Sequence, residues 1–279
     1  MKDSIMKSLV YDFKWFYKEA LQKVNGSTFY INNIRRKYIH SIRVLTIGNK
    51  IRNKTALLSN NTTSELEDIA IKALLFHDVG RFEEAVERYK QEENNEFSPV
   101  WDRKLNHGMI GVNILKNNPK YNDKRILFAI KFHGEMIEKA LNSKEYKEEK
   151  DKKVKKEMLH ILYLVRDADK LENLYRIKNH NNLQKDVFYK QLAEENKTAS
   201  LTDKVIKQFL AKKVIKFSSV KTYADRLLMV LSWYFDINYK ESIKISKEKQ
   251  YKKYLLGELE KYNQDKNLQL KIKNMLNKY

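Results

Sequence analysis

The sequence predicts an all-α protein, and three observations support this fold class. The 279 residues include only 7 Gly and 2 Pro, too few for the many turns of β-sandwiches, barrels and Rossmann folds. Apolar residues recur at helical spacing along almost the whole chain. Hydrophobic residues make up 42% of the composition and aromatic residues 11%, which is enough to form a buried core.

Each predicted helix is an amphipathic segment that lies between polar turns. An Asn-Gly pair, typical of a helix C-cap, follows the first segment, and a Ser-Glu-Leu-Glu run, typical of a capping box, opens the third. Polar or Pro-containing loops separate later segments, and segment 158–177 is apolar enough to lie in the core. In chain order, the predicted helices cover residues 2–24, 28–52, 64–80, 83–91, 102–116, 122–136, 158–177, 202–217, 220–235, 239–262 and 266–279.

The domain organisation is expected to be simple. No internal repeat and no Gly/Ser-rich linker interrupts the chain, so we expect a single all-α domain over residues 1–279. The alternative is a boundary in the polar stretch near 179–198.

The chain is strongly basic, with 56 Lys and Arg against 36 Asp and Glu and a formal net charge of +20. A charge of this size is typical of proteins that bind polyanions such as nucleic acid. The Lys residues are dispersed, however, and Lys, Asn, Ile and Tyr share AT-rich codons. We therefore favour a solvated basic surface and keep nucleic acid as an alternative partner.

Two absences exclude whole classes of function. The chain has no Cys, which excludes a disulfide scaffold, Cys-ligated metal sites and thiol catalysis. No secretory signal opens the sequence and no run of about 18 apolar residues occurs. We therefore expect a cytoplasmic protein without a membrane partner.

Imidazole and carboxylate side chains recur in separate predicted helices. Neutral imidazole and carboxylate are the ligands of Mn, Fe, Co, Ni or Zn sites, and helical domains build such sites from inward-facing residues on separate helices. The candidate ligands, in chain order, are His40, His77, Asp78, His107, His133 and Asp169.

The local context of two candidates strengthens this interpretation. His77 and Asp78 end an apolar helix, where two polar side chains are costly to bury unless a metal or hydrogen bonds compensate. Helix phase turns Asp169 toward the core, whereas Asp167 falls on the flank and is the alternative ligand.

In this order, the candidate ligands resemble those of the HD-domain superfamily of metal-dependent phosphohydrolases. Segment 74–82 (LLFHDVGRF) resembles the central His-Asp motif with its Gly, and segment 106–115 (NHGMIGVNIL) resembles the His-x-x-x-Gly helix of two-metal members. Segments 129–135 (AIKFHGE) and 168–171 (ADKL) resemble the next His motif and the closing Ala-Asp motif. The resemblance covers about residues 28–178. It implies an HD-domain helical bundle, followed by additional C-terminal helices over about 180–279.

The resemblance also implies the roles of the site residues. His40, His77, Asp78 and Asp169 would hold one divalent ion, which could be Mn, Fe, Co, Ni, Zn or Mg. If two ions bind, Asp78 would bridge them, and His107 and His133 would hold the second. Bound ions lower the pKa of a water molecule and polarise a phosphoryl oxygen. Three nearby cations are candidates to hold the substrate phosphate: Arg43, Arg81 and Lys170.

The expected function is hydrolysis of a phosphoester or phosphoanhydride in a phosphorylated, nucleotide-like small molecule. The first alternative is an HD-type nuclease that acts on DNA or RNA, for which the net charge is the motive. The second alternative is a non-catalytic module that binds a nucleotide or a partner protein through the C-terminal helices.

Overall fold

The computed structural model describes residues 2–55, 64–93, 106–185 and 187–279. All of these residues lie in helices or in the loops that join them, and none of them lies in a β-strand. The all-α prediction is therefore confirmed. The first residues of the helix predicted over 102–116 lie outside the described residues.

The chain divides into two compact units, residues 1–169 and 170–279. The division falls within one long helix, between Asp169 and Lys170. The expectation of a single domain remains a prediction.

The helices up to the end of this long helix, together with the turns between them, carry all six candidate ligands. They are α1 (Lys2–Lys23), α2 (Thr28–Lys54), α3 (Ser64–Phe76), α4 (Gly80–Glu93), α5 (His107–Leu115), α6 (Lys124–Phe132), α7 (Ile137–Leu141), α8 (Lys144–Lys147) and α9 (Lys152–His180).

The helices that follow belong to the second unit. They are α10 (Asn182–Lys185), α11 (Val187–Gln191), α12 (Glu194–Thr198), α13 (Asp203–Leu210), α14 (Tyr223–Ser232), α15 (Lys240–Glu248), α16 (Tyr251–Glu260) and α17 (Lys266–Leu276), with short 3-10 turns at Phe217–Ser219 and Trp233–Asp236.

Two of the predicted helices are too long because, within the predicted range, one residue has a left-handed backbone conformation that interrupts the helix. The helix predicted over 202–217 ends at Leu210, and Lys212 has a φ of 54°. The helix predicted over 239–262 is interrupted at Gln250, which has a φ of 55°. Neither position is Gly or Asn, the residues that ordinarily mark such turns.

An aromatic cluster fixes α1 on the next three helices. Phe13 of α1 is fully buried and lies with its ring centroid 5.5 Å from Tyr38, 5.3 Å from Phe76 and 5.4 Å from Phe82. Aromatic pairs at such separations contribute about 0.5–1.5 kcal/mol each beyond the area that they bury. The cluster therefore fastens α2, α3 and α4 together beside the turn that carries His77 and Asp78.

Candidate metal centre

The six candidate ligands come from five places in the first unit. His40 lies in α2, His77 and Asp78 lie in the turn between α3 and α4, His107 begins α5, His133 directly follows α6, and Asp169 lies in α9. His77 is fully buried, and His40, Asp78 and His133 are 2–6% exposed. Side chains that are far apart in sequence are thus collected in the interior.

The two oxygens of the Asp78 carboxylate face two different pairs of histidines. Asp78 Oδ2 lies 3.6 Å from His40 Nε2 and 3.9 Å from His77 Nε2. Asp78 Oδ1 lies 3.3 Å from His133 Nε2 and 3.5 Å from His107 Nε2. The carboxylate therefore stands between two clusters that share it.

Each cluster has the size of a metal site. His40, His77 and Asp78 form the first cluster, and Asp78, His107 and His133 form the second; within each, one ligand atom from every residue lies within 4.8 Å of the others. His77 Nε2 lies 3.3 Å from His40 Nε2 in the first cluster, and His107 Nε2 lies 3.1 Å from His133 Nε2 in the second.

Asp169 joins the first cluster through His40. Its Oδ1 atom lies 3.1 Å from His40 Nε2. The expectation that Asp167 lies on the flank of the helix is wrong: Asp167 is fully buried on α9, whereas the Asp169 side chain is 23% exposed. The contact with His40 favours Asp169 for the role in the cluster.

Backbone carbonyls determine how two of the imidazoles present their nitrogens. His77 Nδ1 donates to the carbonyl of Leu74 at 2.9 Å, and His133 Nδ1 donates to the carbonyl of Ile130 at 2.8 Å. A carbonyl can only accept, so in the neutral ring the proton lies on Nδ1 and the lone pair on Nε2. Histidines that bind metals commonly use this second hydrogen bond to fix ring orientation.

The charge states follow from burial and from neighbouring charges. Burial lowers the pKa of His77 to about 4, and burial together with the charge of Arg81 lowers the pKa of His107 well below its usual value. Burial by itself would raise the pKa of Asp78, but neighbouring positive charge, chiefly that of Lys37, outweighs it and holds that pKa well below the usual range. Neutral imidazoles and ionised carboxylates are the forms that bind cations.

These features fit a divalent cation. In neutral His77 the Nε2 lone pair points into the same small volume as Asp78 Oδ2 and His40 Nε2. Metal–nitrogen bonds of about 2.0–2.1 Å place neighbouring ligand nitrogens about 2.9–3.4 Å apart. The observed separations of 3.3 and 3.1 Å fall within that interval.

Local sequence explains how His107 reaches the site. Asn106 caps α5 by accepting from the backbone nitrogens of Gly108 and Met109, so the helix begins at His107. Gly80 lets α4 approach this helix end, because a Cβ there would lie 2.0 Å from the His107 carbonyl oxygen. The Gly in the LLFHDVGRF segment therefore permits the contact between the two motifs.

Two cations flank the Asp78 carboxylate. Lys37 Nζ lies 3.1 Å from Oδ2, and Arg81 Nε lies 3.6 Å from Oδ1. Arg81 also binds Glu84 at 2.6 Å through Nη1. The sequence interpretation named Arg81 but missed Lys37, although Lys37 precedes His40 by three residues and therefore lies near it on α2.

The other two predicted phosphate ligands have different surroundings. Arg43 is half-buried one turn after His40 on α2. Lys170 lies in the second unit, where its Nζ binds the Asp236 carboxylate at 2.9 Å and the Asp236 carbonyl at 3.0 Å. Part of the Lys170 charge is thus already compensated by Asp236. The phosphate-binding roles of Arg43 and Lys170 remain predictions.

Comparison with known proteins identifies the family of this region. A family model described as HD domain matches residues 38–174. No curated protein and no solved structure matches the chain. Among the described residues, no helix combines the length and the apolar composition that a membrane span needs.

The matched range contains every candidate ligand, from His40 to Asp169. HD domains bind divalent metal ions and occur in metal-dependent phosphohydrolases, which agrees with the His and Asp clusters described above. Residues 38–174 of this chain are therefore an HD domain and belong to the HD-domain superfamily.

Proposed function

We propose that the chain is a two-metal phosphohydrolase that cleaves a phosphoester or phosphoanhydride bond of a nucleotide-like small molecule. One observation carries the proposal: the two Asp78 oxygens face two separate histidine pairs, at 3.6 and 3.9 Å on one side and 3.3 and 3.5 Å on the other. A carboxylate in this position is suited to bridge two ions. His40, His77, Asp78 and Asp169 would hold the first, and Asp78, His107 and His133 the second.

Lys37 and Arg81 are the residues that we assign to the substrate phosphate. Both are cations beside Asp78, and their side chains are 22% and 26% exposed, so a ligand can reach them. Arg81 Nε is buried and lacks a hydrogen-bond partner among the described residues. Guanidinium groups bind phosphate with several parallel N–H groups, so the exposed part of the Arg81 side chain is suited to this role.

The chemistry divides between the ions and the chain. Ions in such a site supply a water of lowered pKa and stabilise the charge that develops on a phosphoryl oxygen. The protein keeps His77 and His133 oriented through their Nδ1 hydrogen bonds to Leu74 and Ile130. Lys37 and Arg81 would fix the phosphate, and positioning of this kind lowers the entropic part of the barrier.

The experiment that tests the proposal combines metal content with turnover. The purified protein is loaded with Mn²⁺, freed of unbound ion and analysed for bound metal, together with the His77→Ala/Asp78→Ala variant. Turnover is then measured with p-nitrophenyl phosphate, its bis-ester, and nucleoside mono-, di- and triphosphates. We expect about two ions per wild-type chain, with loss of bound metal and of turnover in the variant.

A matched control is His180→Ala, because His180 is exposed at the end of α9 and lies outside both clusters. This variant is expected to keep both the metal and the activity. Wild-type protein that holds no metal, or a double variant that hydrolyses the same substrates as fast as wild type, would refute the proposal. Any turnover that the double variant loses would also rule out the non-catalytic alternative.

A polynucleotide substrate is the second candidate, and the net charge of +20 is the observation that favours it. The same panel therefore includes single- and double-stranded DNA and RNA. A nuclease would cleave these polymers faster than the nucleotides, and its affinity for them would fall linearly with the logarithm of salt concentration. Cleavage of nucleotides alone favours the small-molecule substrate.

A further inference from the structure

The end of α6 is held by a buried arginine from α9. Arg166 is 5% exposed. Its Nη1 donates to the carbonyls of Phe132 at 3.2 Å, of His133 at 2.9 Å and of Glu135. The last carbonyls of a helix have no partners within it and carry a partial negative charge. A guanidinium at this position satisfies several of them at once.

The ring of His133 follows the backbone of this turn. Its Nδ1 donates to Ile130, which lies in the same last turn of α6, and its own carbonyl is bound by Arg166. The imidazole is thus fastened to the turn, and the turn is fastened to α9. Ligand distances at metal sites are kept to within about 0.2 Å, so a small displacement of the turn would carry Nε2 out of reach.

Asn106 fixes the same turn from the other side. Its Nδ2 donates to Glu135 Oε1 at 3.0 Å, while its Oδ1 caps the helix that begins with His107. The turn at residues 132–135 is therefore connected to α9 through its backbone and to the start of α5 through the Glu135 side chain. This arrangement ties together the two helix ends that provide the second histidine pair.

We propose that Arg166 is a positioning residue that sets His133 for binding of the second metal ion. The proposal rests on the two-ion site proposed above. Arg166 precedes Asp169 by three residues and so lies near it on α9. One helix thus provides a carboxylate beside His40 in the first cluster and the guanidinium that holds His133 in the second. Loss of Arg166 should affect the second ion and spare the first.

The test measures ion content and ion affinity, with no dependence on activity. Wild-type protein, Arg166→Met and Arg166→Lys are titrated with Mn²⁺ by calorimetry and analysed for bound metal after removal of free ion. We expect Arg166→Met to lower the affinity for the second ion about 10- to 100-fold, as removal of groups that orient metal ligands commonly does. The affinity for the first ion should stay within about twofold of wild type. Arg166→Lys should lie between the two, because an ammonium keeps the positive charge but has a shorter stem and lacks the planar fork of Arg.

The matched control is Arg52→Met. Arg52 lies near the C-terminal end of α2 and is also buried, at 8% exposure. Its Nη1 binds the carboxylate of Glu67 on α3 at 2.7 Å. This variant loses a buried guanidinium without touching the turn after α6, so it should keep both ions even if it melts at a lower temperature. Circular dichroism verifies that each variant is folded.

The outcomes separate this proposal from the one on which it rests. Wild-type protein with fewer than two ions would refute the two-ion site and the role of Arg166 with it. Two ions in wild type and undiminished second-ion affinity in Arg166→Met would refute the positioning role alone. Folded Arg166→Met could also lose affinity for both ions equally while Arg52→Met keeps both affinities. That result would show a general structural role for Arg166 and would overturn the proposal as well.

Discussion

Replacing Gly80 by Ala adds one methyl group at the place where α4 meets α5. The new Cβ would lie 2.0 Å from the carbonyl oxygen of His107 and 2.6 Å from the backbone nitrogen of Gly111. Ordinary contact begins at 3.4 Å, so the carbonyl would have to retreat by about 1.4 Å. Both obstacles are backbone atoms, and no change of rotamer can absorb the clash. The start of α5 must therefore move.

The expected cost follows from this movement. Overpacking of a dense interior costs about 1–3 kcal/mol, and the gain in helix propensity is at most about 1 kcal/mol because Gly80 is the first residue of α4. A displacement of about 1.4 Å at His107 also exceeds the tolerance of a metal ligand, about 0.2 Å. We expect Gly80→Ala to lower the free energy of unfolding by about 1–3 kcal/mol and to bind one ion fewer than wild type.

The assay is urea unfolding followed by circular dichroism, with Mn²⁺ content measured on the same preparations. Gly257→Ala in α16 is the matched control, since nothing lies within 4 Å of a Cβ added there. Its stability should rise by about 0.5–1 kcal/mol. A Gly80→Ala protein with the urea midpoint and the ion content of wild type would refute the reasoning.

Three further predictions concern parts of the fold outside the metal clusters. Arg125 binds three carboxylates, those of Glu65, Asp123 and Glu157, so Arg125→Met should destabilise the protein by about 3 kcal/mol; a melting temperature equal to that of wild type would contradict this. Burial alone would raise the pKa of Asp123, but hydrogen bonds from Arg125 outweigh it and lower that pKa from 3.8, so its stabilisation is complete above pH 3.8 and is lost as the pH falls through the folded-state pKa. Asp123→Asn, which can still cap α6, should therefore lose less stability than wild type on acidification, and parallel acid-unfolding curves would disprove the linkage. Thr222 forms a capping box with the third residue of α14, so Thr222→Ala should cost about 1 kcal/mol in urea unfolding, while Thr222→Ser should retain most of the stability.

Three of the candidate ligands, His77, Asp78 and Asp169, could be named from the sequence because each of them departs from an apolar pattern. His77 and Asp78 follow an uninterrupted apolar run, and Asp169 directly follows a buried Ala in α9. Polar groups in such places require a partner, whatever the detailed packing. The order and spacing of these residues then sufficed to reveal a resemblance to the HD-domain superfamily, whose family model matches residues 38–174.

Lys37 could not be chosen over Arg43 by the same reasoning. The two residues lie three positions before and three positions after His40, so both are about one helical turn away from it. Which of them meets Asp78 depends on how α2 crosses the turn between α3 and α4. Side-chain packing between helices determines how α2 crosses this turn, and the periodicity of a single helix carries no information about that packing.

The two misplaced helix ends have a related cause. After Leu210 the backbone nitrogens of Lys212 and Lys213 donate to the carbonyls of Phe209 and Gln208, which is the pattern of a Schellman motif. The left-handed position in this motif is Lys212. A helix end of this kind ordinarily contains Gly. Because Lys stands there instead, the pattern of apolar and polar residues still matches a continuing helix, and the sequence gives no sign that the helix ends.

The ammonium of Lys37 beside Asp78 has a thermodynamic consequence. It lies 3.1 Å from the carboxylate oxygen that faces His40 and His77, so it already neutralises part of the charge that attracts an ion to the first cluster. An ion that binds there competes with Lys37 for the same oxygen. An anion that draws Lys37 away from Asp78 would therefore raise the affinity for the ion, and reciprocity requires the ion to raise the affinity for the anion by the same factor. Lys37 would thus make the ion and a phosphate cooperative ligands of one another.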